Sequence, residues 1–405
     1  MNAYLSLLRT RGVARIIAAQ LVARAPGGMI SLGFLLHMQH IFGSYGAAGI
    51  VLAATSIGQA VSGPLTSRWM GRWGMRPVLI LTTAVCATAL TTIALAEWLP
   101  LWGFVIAGLI AGLSYPPIQP AVRTIYPKMV NSRQLTPLFS LDASAQELIW
   151  IAGPVIATFV ATQVSTTACI LLSVVFLVGG GAWFISSPEL GRVRIPRSRR
   201  KLGVVLTRPP VLLVTVVGFL LVGSCAAVEA GVVATFGGPK GGSESGIVLA
   251  IWAIASLVGG LALGHRPVGP WALARRMLVI FIGVTLAIFA FNVWTLSVTL
   301  IIAGLCIAPA LAVMFTIVSA SVKFSDTAEA YGWVGTGQLI GAAMGSAIAG
   351  FLIDANGAAG GFWAASCFAL VGLLVPTIFH RAHPDLRGRD ASPLPDTEPV
   401  PVQPS

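Results

Sequence analysis

Three ionisable side chains stand inside long apolar stretches, and they pose the chemical question. Arg24 lies eleven residues into an apolar run that begins near residue 13. Glu147 lies ten residues into a run that begins near 137, and Glu229 lies in the distal half of one over about 210–235. Placing a charge at mid-bilayer costs at least ~3 kcal/mol on insertion scales. Arg24 cannot give up its proton, so it needs a carboxylate, a water-filled cavity or an anionic ligand. Shielding a carboxyl from water disfavours its charged form. A carboxyl that gains and loses a proton in that setting is what proton coupling requires, which makes Glu229 and Glu147 the candidate proton carriers. The plainer alternatives are a structural ion pair for Arg24 and a protonated, hydrogen-bonded carboxyl for either glutamate.

Other groups in the apolar runs could line a substrate cavity. Gln20, Gln146 and Gln338 are amides in otherwise apolar surroundings. Tyr115 and Gln119 sit among Pro116, Pro117 and Pro120, which interrupt a fourth run. Trp150 and Trp252 lie deeper than the remaining tryptophans, most of which fall near run ends as an interfacial belt does. Interhelical hydrogen bonding and ordinary packing explain the same residues. Enzyme chemistry finds no support. No nucleotide or nucleophile motif occurs, and His37, His40, His265, His380 and His383 fall at run ends or in the tail without ligand spacing. The five cysteines each occupy a different apolar run with no CxxC pair, which predicts neither a disulfide framework nor a metal site. The expectation is no metal, no cofactor and no enzymatic activity.

The elements that must hold these groups follow from composition. Of 405 residues, 56% are apolar and only 9% charged, with a mean hydropathy of +0.88. A soluble domain carries roughly a quarter charged residues, so this chain cannot solvate its whole surface. Spans of about 20 residues are predicted at 13–37, 46–67, 77–97, 101–124, 137–161, 165–187, 210–235, 246–264, 272–292, 295–320, 328–353 and 361–380. The first run is too long for a signal peptide, so no cleavage is expected. The net charge of +12 suggests nucleic acid until position is considered. With the N-terminus inside, 23 of the 25 basic residues fall in cytoplasmic segments, Lys240 alone falls outside, and Arg24 lies within a span. The positive-inside rule accounts for that distribution, and nucleic acid is not needed.

The halves repeat across the linker. Gly49-Ile50-Val51-Leu52-Ala53 returns as Gly246-Ile247-Val248-Leu249-Ala250, an offset of 197. Ile106-Ala107-Gly108-Leu109 returns as Ile302-Ala303-Gly304-Leu305, an offset of 196, and Gln146 and Gly153 return as Gln338 and Gly345, an offset of 192. Three matches at nearly one offset predict two tandem six-helix bundles related by a pseudo-two-fold axis. The expected division is 1–187, a basic linker 188–209, a second bundle 210–380, and a proline-rich tail 381–405 free of structure. Pro26 removes the helical bond to the Val22 carbonyl, and the offset sets Gly223-Ser224 opposite Pro26-Gly27. Matched interruptions in two halves point to a midplane binding site.

Six plus six spans with a basic central linker resemble the Major Facilitator Superfamily of secondary transporters, over about residues 10–380. The stretch Ser67-Arg68-Trp69-Met70-Gly71-Arg72-Trp73-Gly74-Met75-Arg76 is similar to the family's loop signature G-x-L-x-D-R-x-G-R-R. Arg72, Gly74 and Arg76 match, whereas Gly71 occupies the acidic position and Ser67 the first glycine. The resemblance implies a cytoplasmic gate at Arg72, Gly74 and Arg76, with Asp142 nominated as the substitute acid. Gly153-Pro154 resembles the centre of the antiporter signature of drug–proton exporters, although Ala157 and Thr158 follow where glycines are expected. In the family, spans one and seven face the central cavity and spans five and eight meet between the halves, which places Arg24 and Glu229 at the cavity. The resemblance implies an all-α, twelve-span secondary transporter working by alternating access, with proton-coupled export of a small organic molecule as the first expectation. Uptake or uniport of a polar or anionic solute is the alternative, and a non-transporting scaffold or sensor a further one. The expected partners are a small-molecule substrate, protons and the bilayer; the expected state is a plasma-membrane monomer with both termini cytoplasmic.

Overall fold

The computed structural model describes residues 2–196, 201–236, 242–264, 266–290 and 292–396. Arg197, Arg199 and Arg200 of the linker, Lys240, His265 and the last nine residues of the tail lie outside the described residues. Within a bilayer each backbone polar group must be satisfied internally, and the chain does this with helices. The first half contains α1 (Asn2–Arg9), α2 (Val13–Arg24), α3 (Pro26–Phe42), α4 (Tyr45–Trp73), α5 (Met75–Leu95), α6 (Leu101–Leu113), α7 (Ile118–Met129), α8 (Ser132–Gln163), α9 (Thr166–Ser186) and α10 (Pro188–Arg192). The second contains α11 (Pro209–Thr235), α12 (Gly242–Leu263), α13 (Ala272–Ala287), α14 (Val293–Gly304), α15 (Ile307–Ser321), α16 (Thr327–Asn356) and α17 (Ala359–Ile378). Ser44, Ser165 and Asn292 start α4, α9 and α14, each accepting from the backbone N–H three residues on at 3.3, 2.9 and 2.9 Å, which satisfies a donor the helix cannot.

The architecture is two six-span helical bundles. Among the described residues, eleven helical segments are long and apolar enough to cross a membrane. The remaining expected span, near 272–292, is α13, whose 16 residues rise about 24 Å. Successive turns carry it on to Ala290, towards the ~30 Å of a hydrocarbon core.

The repeat is visible as packing. A Cβ on Gly153 would fall 2.7 Å from the Cα of Gly28, so α8 and α3 meet backbone to backbone. In the second half a Cβ on Gly345 would fall 2.0 Å from the Gly223 carbonyl oxygen, the same contact between α16 and α11. Small residues permit such approaches between helices in lipid.

The interruptions fall differently from the sequence expectation. Span one breaks at Ala25, whose N–H bonds the Val22 carbonyl at 3.3 Å, because Pro26 has no N–H to offer. Span seven is unbroken: α11 runs through Gly223-Ser224, and Gly223 serves helix contact instead. The matched breaks are in spans four and ten, at Ser114–Pro117 between α6 and α7 and at Leu305–Cys306 between α14 and α15. The tail, expected to be free of structure, is packed as far as described. Leu394 exchanges backbone hydrogen bonds with Val322 and Phe324 at 2.9 and 3.1 Å, and the Leu386 N–H bonds the Val268 carbonyl at 3.0 Å.

Candidate functional site

At the centre of the first bundle, α2, α7 and α8 bring together a buried charge cluster. Asp142 is fully buried and accepts from Arg123 Nε at 3.0 Å, Gln20 Nε2 at 3.0 Å and the Tyr126 hydroxyl at 3.1 Å. Arg24 Nη1 stands 3.6 Å from the same carboxylate. Arg24 donates to the amide oxygens of Gln20, at 2.7 Å, and Gln146. The Gln119 carbonyl oxygen, with the amide oriented by its donors, accepts from both terminal nitrogens of Arg123 at 2.6 and 2.7 Å. Gln20 and Arg24 are one turn apart on α2, Gln119 and Arg123 one turn apart on α7, and Asp142 and Gln146 one turn apart on α8. Each helix therefore presents a stacked pair of polar groups to one point. Tyr115 joins the edge of this group, its hydroxyl 3.5 Å from where a Cβ on Gly27 would stand.

Arg123 also faces the other bundle. Its guanidinium carbon lies 3.3 Å from the ring centroid of Phe315 on α15. Phe315 packs with Phe139 and Tyr331, and Phe139 with Tyr126, at centroid separations of 5.8 to 6.4 Å. This aromatic plug draws two residues from each bundle. Nearer the linker, Arg68 pairs with Glu329 at 3.2 Å. The Ser140 hydroxyl donates to the Gly260 carbonyl at 2.6 Å, and the Thr336 hydroxyl to that of Ala60 at 2.7 Å. The seam between the bundles is therefore closed at the end that carries the linker and termini.

Glu147 points away from the charge cluster. Its Oε1 accepts from the Ser256 hydroxyl on α12 at 2.9 Å, and that hydroxyl in turn accepts from the Ala308 N–H at 3.1 Å. Glu229 is exposed and stands within electrostatic reach of Glu147, and Cys225 within that of both. Asp142 and Glu147 thus face opposite surroundings, as five helical residues at ~100° each require.

The remaining sequence candidates are placed as follows. Gly74 adopts φ +93° in the turn joining α4 to α5, a conformation that glycine alone takes without strain. Arg72 lies over the Trp73 ring at 5.9 Å, and Arg76 donates to the Ser187 carbonyl at 3.3 Å. Neither is in ion-pair contact with Asp142, whose partners are Arg123 and Arg24; the acid nominated for this gate is bound elsewhere. Trp150 is exposed, Trp252 is buried, and the amide nitrogen of Gln338 has no partner among the described residues. Gly153 and Pro154 lie within α8, where Gly153 meets Gly28. Four residues of the charge cluster and the seam escape the sequence reading of the site: Arg123, Tyr126, Arg68 and Glu329. Arg123 falls where a single long span ends, and only the break at Ser114–Pro117 gives it a helix of its own. A solvent-open cleft of about 400 Å³, lined by Arg9, Arg11, Arg15, Glu189 and Arg192, lies at the linker end and does not include the charge cluster. Arg15 and Glu189 are in contact there.

Two pseudo-symmetric bundles of spanning helices around a polar centre, closed at one end, define a membrane transporter. A model of the Major Facilitator Superfamily matches residues 16–291 and 267–404. The chain belongs to that family. Among solved structures, that of the human organic anion transporter MFSD10 (TETRAN) is similar with a TM-score of 0.70 at 15% identity, over 90% of this chain and 99% of that one. A bacterial homologue of the iron transporter ferroportin in an outward-facing state gives 0.70 at 13% identity, over 92% and 100%. The same type of protein with soaked iron gives 0.71 at 14% identity, over 91% and 99%. At these identities the likeness is one of fold. No curated protein matches the chain.

Proposed function

We propose that the protein is a proton-coupled exporter of a small organic molecule. It works by alternating access as a plasma-membrane monomer, with the linker and both termini in the cytoplasm and moving units of 1–187 and 210–380 joined by 188–209. The observation that carries coupling is Glu147, held by Ser256 across the seam at 2.9 Å with Glu229 within electrostatic reach. Rocking one bundle against the other must break that contact, which changes the surroundings of the carboxyl at the step where access changes. A carboxyl near a second carboxyl, away from the arginines, is suited to carry a proton in one state and release it in the other. Export is favoured by the Gly153-Pro154 resemblance, and cytoplasmic termini by the sorting of basic residues.

The test uses proteoliposomes with an imposed pH gradient and a lumenal pH dye, challenged with a panel of small organic molecules in both vesicle orientations. Glu147→Gln is expected to abolish substrate-driven proton movement while leaving substrate counterflow intact, because exchange needs no net proton. Full proton-driven transport in both Glu147→Gln and Glu229→Gln would overturn the coupling. Substrate movement only towards the linker side would overturn the direction.

A further inference from the structure

The buried cluster does not balance in charge. Arg123 is 2% exposed, Arg24 9% and Asp142 0%, so two guanidinium groups share one carboxylate inside the membrane. Guanidinium groups stay charged in proteins, and the Asp142 carboxyl, which receives three hydrogen bonds and faces both arginines, can set at most one negative charge against the two. The cluster therefore carries one net positive charge. Glu147 and Glu229 do not offset it: the first is turned to Ser256 on the opposite side of α8, and neither forms an ion pair with Arg24 or Arg123. Among the described residues Asp142 is the only carboxylate within ion-pair distance of either arginine.

The excess belongs to Arg24 rather than Arg123. Arg123 gives its Nε to Asp142 and both terminal nitrogens to Gln119, with its face on Phe315. Every direction it offers is used. Arg24 uses two of its five N–H donors, both on neutral amide oxygens, and reaches Asp142 only at 3.6 Å. It is also the more exposed of the two, and by helix position it stands farther from the closed end than Phe139 and Tyr331 of the plug. The Asp142 oxygens receive their hydrogen bonds from Gln20, Arg123 and Tyr126, so the single carboxylate that Arg24 reaches at 3.6 Å is shared with the closer Arg123. A buried, uncompensated guanidinium with spare donors is costly unless an anion completes it.

We infer that Arg24 is the binding point for a singly charged anionic group, a carboxylate or sulfonate, on the transported molecule. Gln146 and Tyr115 flank it. One net charge fits a monoanion and disfavours a dianionic phosphate, which would leave a negative charge unpaired in the same site. This inference rests on reading the seam as a transport path, and it is independent of proton coupling and of direction.

The test is binding to the full-length protein in nanodiscs, read by intrinsic tryptophan fluorescence and by thermal stabilisation, in low-chloride buffer. The probes are 1-naphthoate and 1-naphthalenesulfonate, with 1-naphthamide and 1-naphthylmethylammonium as neutral and cationic counterparts of the same shape. Both anions are expected to bind at least tenfold more tightly than the amide and the amine. Arg24→Gln should weaken the anions at least tenfold and leave the amide unchanged, and Arg24→Lys should restore part of the anion binding. Because Arg24→Gln leaves Arg123 and Asp142 as a balanced pair, the variant is expected to fold. Failure of Arg24→Gln to fold would itself overturn the assignment of excess charge to Arg24. Equal binding of anion and amide, no anion binding up to tens of millimolar, or anion binding indifferent to Arg24→Gln would each do the same. Flux of the same probes in proteoliposomes separates the two readings. Arg24-dependent anion binding without flux keeps the site and removes the transport reading, whereas amide flux without anion binding does the reverse.

Discussion

Removing the carboxylate of Asp142 should cost more than removing the arginine it holds most closely. Asp142→Asn keeps the shape and leaves Arg24 and Arg123 buried without a counter-charge. Breaking a buried pair by deleting one partner costs about 3–5 kcal/mol, because the remaining charge is desolvated and unpaired. Arg123→Gln leaves one cation, Arg24, beside one anion at a contact of 3.6 Å. Its expected cost is that of a hydrogen bond to a charged group, about 1.5–3 kcal/mol, including the lost contact with Phe315. Adding Arg24→Gln to Asp142→Asn returns the cluster to the single excess charge of the wild type, so the double variant should be more stable than the sum of the two single changes predicts. Unfolding of the three single variants and the double variant in mixed dodecylmaltoside–SDS micelles, followed by tryptophan fluorescence, gives the four differences. Two results would refute the charge count: Asp142→Asn within about 1 kcal/mol of wild type, or Arg123→Gln costing more than Asp142→Asn.

Three further expectations concern the gate, the helix contacts and the tail. Glu329→Gln removes the Glu329 charge that pairs with Arg68 at the closed end, so a cysteine replacing Thr336 should be alkylated from the linker side several-fold faster in that background; an unchanged rate counts against a closing role for the pair. Gly28→Ala would drive a methyl group to 2.3 Å from the Ile149 carbonyl oxygen and should destabilise by about 1–3 kcal/mol, whereas Gly350→Ala, with open space around it, should be neutral or stabilising by up to about 1 kcal/mol; equal melting shifts would contradict the close α3–α8 contact. Burial lowers the affinity of His383 for a proton, an effect partly opposed by its hydrogen bond to the Pro384 carbonyl, with Arg276 and Asp385 nearby. The folded state then binds fewer protons than the unfolded one, and stability is lost as pH falls below about 6.5. The protection of the Leu386 and Leu394 amides, measured relative to their intrinsic exchange rates at each pH, should fall between pH 7.5 and 5.5 and be insensitive to pH in His383→Gln.

The helical class, the number of apolar runs and the two-fold repeat are legible in the sequence because each is a property of hydropathy and spacing along one strand of chain. An apolar run of 20 residues has few solutions in lipid other than a helix, and Gly153 and Gly345 mark equivalent contacts whatever surrounds them. Arg24 is legible as a residue in need of a partner for the same reason: the cost of a mid-membrane charge does not depend on the fold. Its partner is another matter. Asp142 lies 118 residues away in sequence; its place along the chain makes it a substitute acid for Arg72 and Arg76, yet it meets Arg123, Gln20 and Tyr126 as well as Arg24. That choice is made by the rotation of α8 about its axis and by the break at Ser114–Pro117, which turns the end of a span into a separate helix aimed at the centre. Pairings such as Arg68 with Glu329 and Glu147 with Ser256 join the two halves of the chain, and no local pattern records which faces of two bundles will touch. Tertiary packing decides them, because an ion pair or hydrogen bond depends on ångström distances that composition and periodicity leave free.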